Sequence, residues 1–326
     1  MQRWRSLVMV AVFALVSVVG VSAQDATPAA EECTDLTDAD VAAVLAAFHD
    51  GEINSEEIVT VLDEDVHSVS PFAGLVVGPV AVAGYHDELA SIFSGLSYEP
   101  TGTVLVDDPY IVVPFRFVGD HTGEFLGIPA TGAHVDISAL RVYRMECGKV
   151  VDFWTASDQM ARMAQMGVLS EEWIPETAPA PEVPADCAPP SEQEVANLVR
   201  DYWATGFNSK GAGFADVVSP NYVHHWSSGQ DANGLEAFLA RFNEWPLAFP
   251  DLTFTHGEII IDGDMAATVW TATGTDAGSG FRGNAPTGLK VSWSGINLFH
   301  VACGKIVESW SEGDIASLQR QVSSGT

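Results

Sequence analysis

Basic residues are scarce in this chain. Its 326 residues include 14 Lys and Arg against 44 Asp and Glu, a formal net charge of −30. So acidic a surface repels phosphate backbones and anionic headgroups, which argues against nucleic acid and anionic membrane as partners. Catalytic signatures are missing too. No Gly-x-Ser-x-Gly, His-Glu-x-x-His or Walker-type sequence occurs, so serine hydrolases, zinc proteases and nucleotide enzymes find no support. Gly278-Ser-Gly-Phe-Arg-Gly283 matches the dinucleotide fingerprint by letter, but it leads into a strand pattern and offers pyrophosphate no helix N-terminus. Cysteine is limited to Cys33, Cys147, Cys187 and Cys303, with no Cys or His pairing at ligand spacing, so no metal site is expected.

Only one long apolar run is present, residues 7–21, between Arg3 and Arg5 on one side and Val21-Ser-Ala23 on the other. That is the pattern of a secretory signal peptide over residues 1–23, cut after Ala23. The run is short for a membrane span of about 20 residues, and an uncleaved anchor is the alternative. The expected product is exported and free of the membrane. It would carry 12 basic against 44 acidic side chains, a net charge of −32.

What the chain has is a stretch it contains twice. Residues 127–158 return as 283–314 at a constant offset of 156, with Thr131/Thr287, Gly132/Gly288, Cys147/Cys303, Gly148/Gly304, Lys149/Lys305, Trp154/Trp310 and Asp158/Asp314 in register. Solenoid repeats run about 20–50 residues, so this period marks duplicated domains. Each copy reads as a strand, a Cys-Gly-Lys hairpin turn, a second strand and an acid beyond it. In the first, Ile137, Ala139, Arg141 and Tyr143 share one face and Ser138, Leu140 and Val142 the other. Each copy also has one Cys ahead of its first helix and one in its turn, so Cys33–Cys147 and Cys187–Cys303 are the expected disulfides of an exported protein.

Elsewhere Thr37 suits the cap of a helix over 38–49, a short helix follows Ser55, a strand over 65–70 contains His67, and a helix opens at Pro79. The second copy repeats the plan, with a capping box at Ser191-Glu-Gln-Glu194 and His224 in the strand matching His67. Domains are expected over 33–169 and 187–320, each able to fold alone, joined by a stiff Pro/Ala/Glu-rich linker over 170–186. Helices followed by mostly antiparallel strands make each an α+β domain, a curved sheet packed on helices around a cone-shaped cavity.

These residues resemble the SnoaL-like polyketide cyclase family of the nuclear transport factor 2-like superfamily. The resemblance rests on His121-Thr-Gly-Glu-Phe-Leu-Gly-Ile-Pro-Ala-Thr-Gly132, the following strand, Cys-Gly-Lys-Val-Val, and a Trp ahead of Asp158. It implies two tandem cone-shaped, cystatin-like α+β barrels, each with a mostly apolar pocket for a small ligand or substrate and no cofactor. It further implies a cyclase or isomerase type of acid–base chemistry, or plain ligand binding, and an open sheet face suited to a homodimer or to pairing of the two copies. The family acid corresponds to Asp158 and Asp314. The polar residue of the preceding strand corresponds to His300 in the second copy and to Arg144 in the first. The His-x-Gly entry is kept at His121-Thr-Gly123 and replaced by Ala277-Gly-Ser279.

Asp314 with His300 therefore forms the favoured catalytic pair. Asp158 is expected to matter less, its carboxylate held ionised by Arg144. The alternative for both acids is a place in the first turn of the closing helix. His67, His224 and His121 are further pocket candidates. The second copy is rich in indole, and Trp226 and Trp293 are its candidates for a flat ligand.

Overall fold

The computed structural model describes residues 33, 35–175, 177–227 and 229–323. The expected signal peptide, residues 1–23, lies outside the described residues. In the first copy the elements run α1 (Asp38–His49), α2 (Ser55–Val61), β1 (Leu62–Ser70), β2 (Gly74–Val77), α3 (Pro79–Ile92), β3 (Phe93–Pro100), β4 (Leu105–Asp107), β5 (Tyr110–His121), β6 (His134–Glu146), β7 (Lys149–Ser157) and α4 (Gln159–Gln165). Thr37 and Asp40 form a reciprocal capping box at α1, which satisfies two N–H groups the helix itself cannot. The sheet order is β2-β1-β7-β6-β5-β3, with β4 on β5, and all pairs are antiparallel except β1–β7.

The second copy has α5 (Glu192–Asp201), which widens into a π-helical turn over Tyr202–Phe207, then α6 (Phe214–Val217), β8 (Val218–Trp226), β9 (Ala232–Asn233), α7 (Leu235–Phe242) and α8 (Glu244–Ala248). It continues with β10 (Thr253–His256), β11 (Ile260–Asp262), β12 (Met265–Thr275), β13 (Lys290–Ala302), β14 (Lys305–Gly313) and α9 (Ile315–Ser323). Its sheet runs β10-β12-β13-β14-β8-β9, with β8 and β14 parallel.

Both long hairpins turn through two left-handed residues, Cys147 (φ 48°) with Gly148 (φ 72°) and Cys303 (φ 51°) with Gly304 (φ 71°). That geometry matches the twist of the flanking strands. It also aims each Cys at the chain's incoming segment, and Cys33 bonds Cys147 while Cys187 bonds Cys303, with Cα atoms 4.6 and 5.1 Å apart. The pairing read from the duplication is the one present.

Strand alternation divides the apolar residues of β6 between two cores. Ile137, Ala139 and Tyr143 join α1 and α3 inside the cone, while Leu140 and Val142 face outward. The outward residues do not meet solvent. Together with Leu105, Val112 and Ala156 they pack on Ile260, Ala267, Ile296 and Leu298 of the second copy. The seam is reciprocal in its polar contacts as well: Val106 N–H donates to Asp262 at 3.1 Å and Ile261 N–H to Asp107 at 2.8 Å. Met160 of α4 is buried in the second copy's core.

The connecting segment departs from the expected extended linker. It makes a 3₁₀ turn over Glu171–Trp173 and then docks, with Ala178 N–H donating to Asp231 and Gln230 to the Ile174 carbonyl. Trp173 packs half-buried against the second copy's core, with the guanidinium of Arg282 4.6 Å from its ring.

Candidate functional site

Arg141 sits in the middle of β6 on the cone face. The same alternation that buries Ile137, Ala139 and Tyr143 carries a guanidinium into an apolar interior. Only 3% of it is exposed. Five rings surround its Cζ, with Tyr98 at 4.8 Å, Phe115 at 5.0 Å, Phe48 at 5.2 Å, Phe153 at 5.5 Å and Tyr143 at 5.9 Å. Its Nε donates to Thr155 Oγ1 at 2.8 Å and its Nη1 to the Tyr143 hydroxyl at 3.4 Å. Arg162 enters the same cone from α4, over Phe117 at 4.1 Å, with its Nε unpartnered. Among the described residues, no carboxylate forms an ion pair with either guanidinium. Buried charges are ordinarily paired, because an unpaired one loses its hydration without return.

Two histidines complete this cone. His49 contacts the Tyr98 carbonyl at 3.1 Å through Nδ1 and the Tyr143 hydroxyl at 3.0 Å through Nε2. The carbonyl can only accept, so Nδ1 carries the proton. Burial first, and then the charge of Arg141, lower its pKa to about 3, so the ring is neutral. His86 comes from α3, with Nδ1 3.0 Å from the Tyr98 hydroxyl and Nε2 without a partner. Burial, Arg141 and His49 likewise push it well below the usual histidine range. Burial raises the Tyr143 hydroxyl to about 12. The free volume beside Arg141, Arg162, His86 and Tyr98 is ≈ 20 Å³, room for a single water.

The second cone has the same frame and opposite chemistry. Asn297 occupies the position of Arg141 and accepts from Trp270 Nε1 at 2.7 Å. Trp203, Trp226, Trp245 and Trp293 also line it, around ≈ 30 Å³. Gly295 admits the Trp270 ring, because a Cβ there would collide with it. Trp226 and Trp293 are both part of that lining. His224 is fully buried, with Nδ1 2.7 Å from Ser309 Oγ and 2.9 Å from the Tyr222 hydroxyl. Burial holds it well below its ordinary pKa.

The remaining sequence candidates do not line either of these two free volumes. Asp158 and Asp314 are helix caps: Asp158 Oδ1 accepts from Ala161 N–H at 2.8 Å and Asp314 Oδ1 from Ser317 N–H at 2.9 Å. Arg144 does not hold Asp158 ionised. It pairs with Asp152 and Glu146 on the outer face, while burial raises the Asp158 pKa. His300 also faces outward, 3.6 Å from Asp264 and 4.0 Å from Glu308. His67 is half exposed, 3.4 Å from Asp152. His121 is buried beside Phe93, with Nδ1 2.9 Å from Thr131 Oγ1.

His49, His86, Tyr98 and Arg162 were not singled out in the sequence. Arg141 was placed on the correct face, and a lone charge on an otherwise apolar strand face was the available signal.

Comparison with known proteins follows the duplication. The model of the SnoaL-like polyketide cyclase family matches residues 39–166 and again 194–322. No curated protein matches the chain at a significant level. Among solved structures, a protein of Jannaschia sp. CCS1 described as a SnoaL-like polyketide cyclase is 22% identical over 42% of this chain and 96% of its own, with a TM-score of 0.39. IdmH of Streptomyces antibioticus, described as a polyketide cyclase, is 26% identical over 40% of this chain and 98% of its own, at a TM-score of 0.36. AclR of Streptomyces galilaeus, described as a hydroxylase, is 27% identical over 41% and 83%, at 0.37.

Proposed function

The chain belongs to the SnoaL-like polyketide cyclase family through both of its halves, and from that premise we propose that its first cone is a cofactor-free acid–base site for a small enolisable carbonyl compound bearing an anionic group. One observation carries the reading: Arg141 is a buried guanidinium in a cage of rings with no carboxylate in ion-pair reach among the described residues. A ligand anion supplies the missing partner. The unpartnered Nε2 of neutral His86 is the group to take a proton from the carbon next to the carbonyl. The electron pair left behind moves onto the carbonyl oxygen, where guanidinium N–H groups stabilise it. The ligand's own charge offsets Arg141 and removes that part of the depression of His86, while burial, the larger cause, stays.

The apolar leader and the two disulfides support a place outside the cytoplasm. The second cone is lined by indoles and Asn297, and among the described residues its lining has no group suited to moving a proton. It serves this reading as the apolar partner.

A second reading, an exported binding or scaffold module, is favoured by the free volumes of ≈ 20 and ≈ 30 Å³. Ligand pockets run about 300–1,000 Å³, so the first cone has to widen before a substrate enters. The deciding experiment follows exchange of carbon-bound hydrogen for deuterium in small 2-oxo and 3-oxo carboxylates by NMR. The enzyme reading expects exchange that falls about 10²–10³-fold in Arg141→Gln and about 10²–10⁴-fold in His86→Gln. Saturable carboxylate binding with no exchange on any of them favours the binding module instead.

A further inference from the structure

A large free space lies between the two copies, on one side of the seam. It amounts to ≈ 650 Å³, within the size range of small-molecule sites, which favour domain interfaces. Its walls come from both copies, with Leu140 and Pro114 on one side and Leu298, Met265 and Trp310 on the other. Alternation along β14 sends Ser311 and Gly313 into the second cone, and sends Trp310 and Glu312 outward into this groove.

Glu312 is the unusual member. It is 5% exposed, the Ser138 hydroxyl hydrogen-bonds it, and its Oε2 has no partner. The other charged groups facing the groove each have a partner of their own. Arg116 pairs with Asp136, Asp262 accepts from Val106 N–H, and His300 lies 3.6 Å from Asp264. The local balance is negative, as is the whole chain, so a cation is drawn in and an anion repelled. The groove on the other side of the seam, ≈ 450 Å³, lacks this feature. The position matching Glu312 is Ala156, and the position matching His300 is Arg144, closed off by Asp152 and Glu146.

We propose that the seam groove is a second binding site, for a primary ammonium ion carried on an apolar body about the size of one ring, with Glu312 as its counter-ion and Trp310 against its body. Burial, with Asp158 and Asp231 nearby, pushes the Glu312 carboxyl well above the usual carboxylate range in the free protein. An ammonium ion favours the carboxylate form, so binding shifts the site toward releasing a proton to solvent.

Isothermal titration of the full chain at neutral pH tests this with 2-phenylethylammonium, its neutral isostere 2-phenylethanol, and phenylacetate. The ammonium ion is expected to bind at one site, with a heat that changes between buffers of different ionisation enthalpy. The alcohol and the anion should bind at least about tenfold more weakly, since neither pairs with a buried carboxylate. Glu312→Gln should weaken the ammonium at least about tenfold. Asp264→Asn, at an exposed turn position, should weaken it about two- to fivefold, and it decides the matter if Glu312→Gln fails to fold. The site is overturned by absence of saturable ammonium binding, by an alcohol that binds as tightly, or by full affinity in the folded variants.

Discussion

Arg141 and Asn297 occupy one position in two copies of a single fold, 156 residues apart, and divide its chemistry between them. The first holds a guanidinium among Phe and Tyr rings; the second holds an amide against the indole of Trp270. The duplication has kept the frame and separated the interiors, one cationic and polar, the other aromatic and uncharged. A pair of copies need not share a ligand, and here the linings have nothing ionic in common.

Arg141→Met is expected to keep or raise stability while removing anion binding. Replacing a buried charged group by an apolar one of similar volume is often neutral or stabilising, by about 1–4 kcal/mol. Met fills the ring cage, and the hydroxyls of Thr155 and Tyr143 lose one donor each. Denaturant unfolding measured beside carboxylate binding checks both halves of the expectation. A large loss of stability would make the guanidinium a structural member rather than a waiting ligand group.

Much of this was legible in the sequence, and the failures have a common cause. The capping residues Thr37 and Ser191, the hairpin turns and the cysteine pairing depend on local chemistry and on the repeat, both of which a sequence displays. The acids after the last strand are different. Asp158 and Asp314 follow the strand by one residue, where a carboxylate can line a cavity or cap a helix, and burial and neighbours decide between these. For Arg144 and His300 the parity of the strand was the usable signal. Tyr143 faces the cone, so Arg144 faces away, and it closes on Asp152 and Glu146. His86 reaches the site from another element, a relation no spacing along the chain reveals.

Each disulfide closes a loop more than a hundred residues long, 114 in the first copy and 116 in the second. Constraining the unfolded chain over such a loop stabilises by about 4–5 kcal/mol in the chain-entropy model. Cys147→Ser should therefore lower the unfolding free energy by several kcal/mol, and with it the denaturant midpoint, and Cys303→Ser should do the same. A reduced protein that unfolds at the same denaturant concentration as the oxidised one contradicts this.

His225 gives the protein a stability that fades in alkali. Burial opposes its charge, yet Asp231 at 2.6 Å and Glu308 at 2.9 Å outweigh that and raise its pKa from 6.5 to about 9. Its ring lies against Trp310 at 5.2 Å, and His300 is 4.0 Å from the far oxygen of Glu308. Because the folded pKa is the higher one, the contribution is complete below about pH 6.5 and is lost as the pH rises through about 9. It amounts to on the order of 3 kcal/mol. Unfolding free energies between pH 6 and 10 should fall in the parent and stay flatter in His225→Gln. Parallel curves would mean that the two carboxylates do not bind the imidazolium.

The seam decides whether one copy can stand alone. The second copy has its own core of indoles and its own disulfide, so residues 187–323 should fold cooperatively when expressed by themselves. Separation, however, bares Ile260, Ala267, Ile296 and Leu298, an apolar face that the first copy covers in the full chain. Contiguous exposed apolar surface of this kind drives association, and a second copy of the same face is the nearest substitute. The isolated second copy should therefore sediment as a dimer, and Leu298→Lys should return it to a monomer by placing a charge where the two faces meet. A parent fragment that is monomeric at all concentrations would show that the seam adds little, leaving the disulfides and the docked linker to hold the copies together.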